Sequence, residues 1–272
     1  MKARGWRGGI SVIAVRLPFT ELSAWNFELN MNWEQKFVRF VAERWVFQKS
    51  DPHAFRPRTL LLAFGEDFIS PLLEKHQHFG TFYSGYVGGR LIGYVRVPPG
   101  TVILEGVMRS LPLTRVDTII GLGTCGALQS DIDCGDIVIA DAAQAGECLS
   151  AHYGFEFGQM IAADPGLSGS LTGFLRRQGK KVFQGPIVTT GAVFRETDEL
   201  LRSWNKAGFL GVELEAASMF ALANYLGIKS TMALMVTDNP VRNETSEVLR
   251  SPKREAFIAG ITGFVGSPNI PA

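Results

Sequence analysis

Gly121-Leu-Gly-Thr-Cys-Gly-Ala-Leu-Gln-Ser-Asp-Ile-Asp-Cys-Gly-Asp136 is the stretch that decides between two α/β folds. Its first six residues satisfy the G-x-G-x-x-G spacing of a dinucleotide-binding turn. That turn needs a helix to start at once, so that the helix N-terminus meets the pyrophosphate. Here Asp131, Asp133 and Gly135 are turn formers, and Asp136-Ile-Val-Ile-Ala140 reads as a strand, not a helix. The stretch is therefore read as strand, glycine-rich loop, strand. Its glycines let backbone approach a ligand closely at the carboxyl end of a strand; with no ligand they mark only a tight corner.

Outward from this point, short apolar runs alternate with helical patterns. Thr59–Phe64, Thr118–Ile120, Pro186–Thr190 and Ser230–Val236 read as buried strands. Gly80–Val87 and Arg90–Val97 read as paired strands turning at Gly88-Gly89. Helices are predicted over 32–48, around Ile69–His78, and over Thr101–Leu111, Leu167–Gln178, Thr197–Ala207, Ala216–Leu226 and Lys253–Phe264. Gly179, Gly208 and Gly227 close three of them. The expected fold is α/β: a single three-layer α/β/α domain around a mixed, largely parallel sheet. Residues 1–30 are expected to be a poorly packed N-terminal extension, and 31–272 the domain.

Composition narrows the function. Of 272 residues, 46% are hydrophobic and 19% charged, enough for a large core. A formal charge of +1 gives no field to attract nucleic acid or an acidic membrane, so a small, nearly neutral ligand fits better. No run of about 20 apolar residues occurs, so nothing is expected to span a membrane. Cys125, Cys134 and Cys148 make neither a disulfide framework nor a zinc spacing, which points to a reducing cytoplasm. Cys125 is read as a small packing residue or as a nucleophile; no His is placed in the sequence to activate it.

Three stretches resemble the purine nucleoside and uridine phosphorylase superfamily, which also holds nucleosidases acting on methylthioadenosine and AMP. They are Gly121–Leu128 with Cys134-Gly-Asp-Ile-Val-Ile-Ala140; Thr189-Thr-Gly-Ala-Val-Phe194; and Gly211-Val-Glu-Leu-Glu-Ala-Ala-Ser218 followed by Val236-Thr-Asp-Asn239. The resemblance runs from about Thr59 to the C-terminus. It implies cleavage of a purine nucleoside by phosphorolysis, with a hydrolytic nucleosidase and a non-catalytic nucleoside-binding protein as alternatives. It also implies no cofactor beyond phosphate as co-substrate, no metal, and a homo-oligomer (dimer, trimer or hexamer).

The resemblance assigns roles that chemistry makes intelligible. Breaking C1′–N leaves an oxocarbenium-like sugar and a poor leaving group, the base anion. Glu215 would hold the ribose hydroxyls, whose bonds strengthen as charge develops; read on its own, it is a carboxylate at a helix N-terminus. Asp238 would protonate or hydrogen-bond N7 of a purine, helped by burial at a strand end; read on its own, it is a cap or turn former before Asn239-Pro240. Phe194 would stack on the base or simply pack in the core. Gly123, Thr124, Cys125, Thr190, Glu213 and Leu214 complete the expected substrate contacts, Glu213 alternatively pairing with a surface Lys or Arg. His152 is a further candidate.

The match fails where phosphate would bind. Family phosphorylases hold it with one arginine after the first strand and another three residues before the Thr of the glycine motif. Here Phe64-Gly-Glu-Asp-Phe-Ile-Ser-Pro71 has no Arg, and Gly121 occupies the second position. Glu66 and Asp67 would repel phosphate unless turned away. Arg96, Arg195 and Arg242 are spare cations near predicted loops, and a neighbouring subunit could lend another.

Overall fold

The run Thr59–Phe64 forms strand β1, buried along its whole length. The computed structural model describes residues 31–268 and Ile270. The expected extension over 1–30 lies outside them. From Val38 onward the chain is one compact unit.

Ten further strands follow: β2 (Glu74–Phe79), β3 (Phe82–Val87), β4 (Arg90–Val97), β5 (Thr118–Ala127), β6 (Ile137–Gly146), β7 (Met160–Ala162), β8 (Val182–Thr190), β9 (Gly211–Glu213), β10 (Lys229–Asn239) and β11 (Glu244–Thr245). The α-helices are α1 (Trp33–Val41), α2 (Thr101–Ser110), α3 (Leu149–His152), α4 (Pro165–Arg177), α5 (Asp198–Lys206), α6 (Ala216–Leu226) and α7 (Pro252–Gly266). Start signals act as sequence chemistry requires. Asp164 accepts from the Leu167 N–H at 2.7 Å with Pro165 next, and Thr197 caps α5 through Leu200 N–H. Gly227 closes α6 in the left-handed region.

All described strands join one mixed sheet. The two longest registers, β5–β10 and β6–β8, are parallel, as are β1–β4 and β1–β5; the β2–β3–β4 meander is antiparallel. β5 pairs with β10, β10 with β6, β6 with β8, β8 with β9, and β9 again with β5, so five strands close into a ring. Alternation divides the core in two. Leu60, Leu62, Met232 and Leu234 join a layer with α2 and α6; Leu61, Ala63, Ala233 and Met235 join a layer with α4 and α7. Each fully buried leucine contributes about 1.5–3 kcal/mol. This is the expected three-layer α/β/α arrangement.

Two expectations need correction. The helix expected around Ile69–His78 is a 3-10 turn (Ser70–Leu72) followed by β2. Glu74-Lys-His-Gln-His-Phe79 is almost wholly exposed, so no apolar period advertised a strand. Pairing with β3 decides it. Second, the glycine motif is not a loop: β5 runs unbroken through Gly121, Gly123 and Gly126. The helix expected over 32–48 is α1 continued by a π-helical turn, Ala42–Val46.

Candidate active site

Gly126 leaves no room for a side chain. A Cβ there would lie 2.8 Å from Asp238 Oδ2 and 3.4 Å from Pro240 Cδ. The other two glycines of the motif serve packing. A Cβ on Gly121 would meet Met219 Cε and Sδ at 2.9 Å, and one on Gly123 would meet Met232 Cε at 3.1 Å. The motif therefore clears space for side chains, and at its last position that side chain is an aspartate.

Asp238 is positioned by an irregularity in β10. Val236 faces Cys125 and Asp238 faces Gly126, so Thr237 is an extra residue at a bulge. Thr237 Oγ1 donates to Asp238 Oδ1 at 2.8 Å. The carboxylate lines a cavity of about 210 Å³.

Another part of the wall is built by the start of α6. Glu213 ends β9, and its Oε2 accepts the N–H groups of Glu215 and Ala216, both at 2.8 Å. Its Oε1 accepts the Thr189 hydroxyl, and Thr189 Oγ1 accepts Ala217 N–H at 2.8 Å. Three otherwise orphaned donors of the helix are thereby satisfied. Glu213 is 5% exposed, so the alternative of pairing with a surface cation is corrected. Glu215, equally buried, turns the other way. Its Oε1 accepts Gly100 N–H at 2.6 Å, at the start of α2.

Burial dominates the electrostatics. It pushes the Glu213 carboxyl above the usual carboxylate range, with Glu215 adding to the shift, and it raises Glu215 despite the Gly100 and Leu214 N–H bonds. Glu196, also on the cavity wall, is raised by burial and by Asp238. Burial, then Asp238 and Glu213, push the Cys125 thiol well up. Its burial and raised thiol favour the packing reading of Cys125 over the nucleophile reading.

The cavity gathers most of the predicted residues: Thr124, Cys125, Glu213, Leu214, Glu215 and Asp238. Gly123 and Thr190 are not on its wall; the Thr190 hydroxyl accepts Ala192 N–H within its own loop. Phe194 is 99% exposed. The 3-10 turn Val193–Arg195 puts Val193 on the wall and leaves Phe194 exposed, so core packing does not describe it. His152 is exposed and off the wall. Of the spare cations, Arg242 is held by the Ser130 carbonyl, Asp133 and Glu244; Arg96 and Arg195 are exposed and off the wall. Asp67 is turned to Ser70 and Tyr94, Tyr94 donating at 2.8 Å.

Sequence reasoning missed Glu196, Gly100 and Thr189. Glu196 lies two residues past the aromatic residue at which that motif was closed. Gly100 ends the run Pro98-Pro99-Gly100, whose only sequence signal is a break in the chain. Nothing in the sequence separates the buried Thr189 from its neighbour Thr190.

The sequence profile of the Phosphorylase superfamily matches residues 62–259. A guanosine phosphorylase from Halorubrum lacusprofundi is 36% identical over 144 residues, which cover 53% of this chain and 58% of that relative. A DeoD-type purine nucleoside phosphorylase from Caldanaerobacter subterraneus is 30% identical over 175 residues, 60% of this chain and 71% of the relative. The chain thus spans less than two thirds of the length of the first of these. The crystal structure of uridine phosphorylase from Vibrio fischeri superposes with a TM-score of 0.68, covering 80% of this chain and 96% of that one at 20% identity, a likeness of fold alone. With most of the sheet and both of its helical layers inside the matched range, the chain belongs to the phosphorylase superfamily.

Proposed function

We propose that this protein cleaves the N-glycosidic bond of a purine nucleoside by phosphorolysis, releasing free base and ribose 1-phosphate. The observation that carries this is the convergence of Glu215 and Asp238 on one cavity, beside Thr124. A buried carboxylate on the cavity wall suits a vicinal diol, and its bonds to the hydroxyls strengthen as the sugar gains positive charge. An aspartate lining the same cavity can hydrogen-bond or protonate the leaving base. The phosphorylase names of the relatives support the same chemistry. The reading includes a homo-oligomer working in the cytoplasm, with phosphate as co-substrate and neither metal nor organic cofactor.

One observation favours a second reading, hydrolysis. Among the described residues on the cavity wall are four carboxyls, Glu196, Glu213, Glu215 and Asp238, and no Arg, Lys or His. The position three residues before Thr124 is packed against Met219 and Met232. A phosphate dianion meets repulsion there unless cations arrive from elsewhere. Incubating inosine, guanosine, adenosine, methylthioadenosine, AMP and uridine with and without phosphate, and following free base by chromatography, separates the readings. Base released only with phosphate supports phosphorolysis, and release without it supports hydrolysis. Binding without release from any substrate leaves a non-catalytic nucleoside-binding protein.

A further inference from the structure

A second cavity, of about 160 Å³, shares no lining residue with the first. It lies between the turn into β6 (residues 135–137), the turn from α4 into β8 (residues 179–181) and the first turns of α7. Its charge is the reverse of the first cavity's. Among the described residues that line it are Lys180, Lys181 and Lys253, against one carboxylate, Asp136. The first cavity sets four carboxyls against no cation.

The three ammonium groups differ in how many of their three N–H donors the protein uses. Lys181 uses all of them. Its Nζ reaches the Asp131 carbonyl at 3.1 Å, Asp133 Oδ2 at 2.9 Å and Asp136 Oδ2 at 2.7 Å. Asp136 is thereby paired, and its Oδ2 also accepts Asp133 N–H at 2.8 Å. Lys253 uses one donor, on the Cys134 carbonyl at 2.6 Å. Its stem lies on Gly135, at φ +90°, where a Cβ would fall 2.1 Å from Lys253 Cδ. A side chain at that position would push the ammonium aside. Lys180 uses none among the described residues. It is half-buried and leans on α7, with Cε 4.0 Å from the Cβ position of Gly260. Two donors of Lys253 and three of Lys180 therefore remain, on two charges that pair with no carboxylate among the described residues.

The matching occupant brings several acceptor oxygens and more than one negative charge. A carboxylate brings one charge. A phosphoryl group brings about −1.5 to −2 at neutral pH and three acceptor oxygens. Ile137 and Phe257, both buried, also line the cavity, and low-dielectric walls strengthen the attraction.

We infer that this second cavity is an anion site that binds a phosphoryl group, with Lys180 and Lys253 as donors and Lys181 as a fixed charge held by the 131–136 turn. It requires nothing of the nucleoside reading of the first cavity. The group arrives either free, as inorganic phosphate, or carried on a small metabolite such as a sugar phosphate.

Equilibrium dialysis of radiolabelled phosphate in about 0.15 M KCl, where exposed charges are strongly screened, measures the site. Wild type is compared with Lys180→Gln, Lys253→Gln, the double variant and Lys206→Gln, an exposed lysine of α5 on neither cavity wall. Each single cavity variant should weaken one class of bound phosphate ~10-fold, the scale of a charge-assisted hydrogen bond. The double variant should lose one equivalent per chain at a near-native urea midpoint, and Lys206→Gln should match wild type. Phosphate held in the first cavity for phosphorolysis would persist in the double variant as a separate equivalent, so the two readings fail independently. Unchanged phosphate binding in the double variant overturns the inference. So does a loss in Lys206→Gln equal to that in Lys180→Gln, or no phosphate bound by wild type. Unlabelled ribose 5-phosphate and unlabelled phosphate then compete for the equivalent that the double variant loses. Tighter competition by the sugar phosphate assigns the site to a phosphorylated metabolite, and the reverse order assigns it to free phosphate; either order supports the site.

Discussion

Gly126→Ala tests whether the position of Asp238, rather than the stability of the fold, limits the chemistry. The new methyl would lie 2.8 Å from Asp238 Oδ2. An ordinary C···O contact is about 3.3–3.6 Å, so the carboxylate must retreat by ~0.5 Å or more. Retreat is opposed by the Thr237 hydroxyl, which holds Oδ1 at 2.8 Å, and Pro240 Cδ, 3.4 Å from the same methyl, limits movement of the methyl itself. The clash falls on the end of a side chain and not on backbone, so folding should suffer less than ~1.5 kcal/mol. Displacing a reacting group by up to 1 Å costs up to about 100-fold in rate. The expected result is kcat/KM down ~10- to 100-fold with a near-native urea midpoint, and no comparable loss from alanine at the exposed Gly169 of α4, where a Cβ meets nothing within 4 Å. Full activity in Gly126→Ala would refute the proposed role of Asp238. A collapse of stability in step with activity would refute the claim that the glycine serves the site.

Glu215→Gln and Asp238→Asn should each lower turnover at least ~100-fold in the same assay, and wild-type rates in both would remove the site assignment. Glu213→Ala strands the Glu215 and Ala216 N–H groups, at roughly 1–3 kcal/mol for each buried donor; chemical denaturation showing a loss below about 1 kcal/mol would contradict its capping role. Because burial and Glu215 raise the Glu213 carboxyl in the folded state, the native protein binds that proton more tightly than the unfolded chain does. The associated stability is present below the ordinary carboxylate range and is lost as pH rises. Glu213→Gln should therefore gain on wild type in unfolding free energy as pH rises through neutrality, and a difference that shrinks would reverse the sign. Phe194→Ala should leave the urea midpoint within about 0.5 kcal/mol of wild type, because the ring is 99% exposed.

The sequence was most legible where local rules and burial agree. α6 was read at its observed limits because Ala216–Leu226 is apolar throughout and Gly227 can turn left-handed. β1 and β10 announced themselves as continuous apolar runs. β2 did not, since an exposed, charged edge strand has no period of its own and exists only through its neighbour. The glycine motif misled for a related reason: glycine is a turn former locally, yet here it is selected by what packs above the strand, which only tertiary structure reveals. In the site, Glu215 and Asp238 were found through motif resemblance. Glu196 and Gly100 were not, because their value lies in reaching the cavity from segments with no chemical signature.

The bulge at Thr237 makes the chemistry depend on a count. Side chains of neighbouring residues in a regular strand point to opposite faces, yet with the extra residue Thr237 and Asp238 both line the cavity. Losing that single codon would restore an unbroken ladder against β5 and take from the cavity either the aspartate or the hydroxyl that holds it. The scaffold would keep its core while its acid lost its place or its anchor. Among descendants of such a chain, a one-residue gap after Val236 would mark the lineages that have kept the shape and given up the reaction.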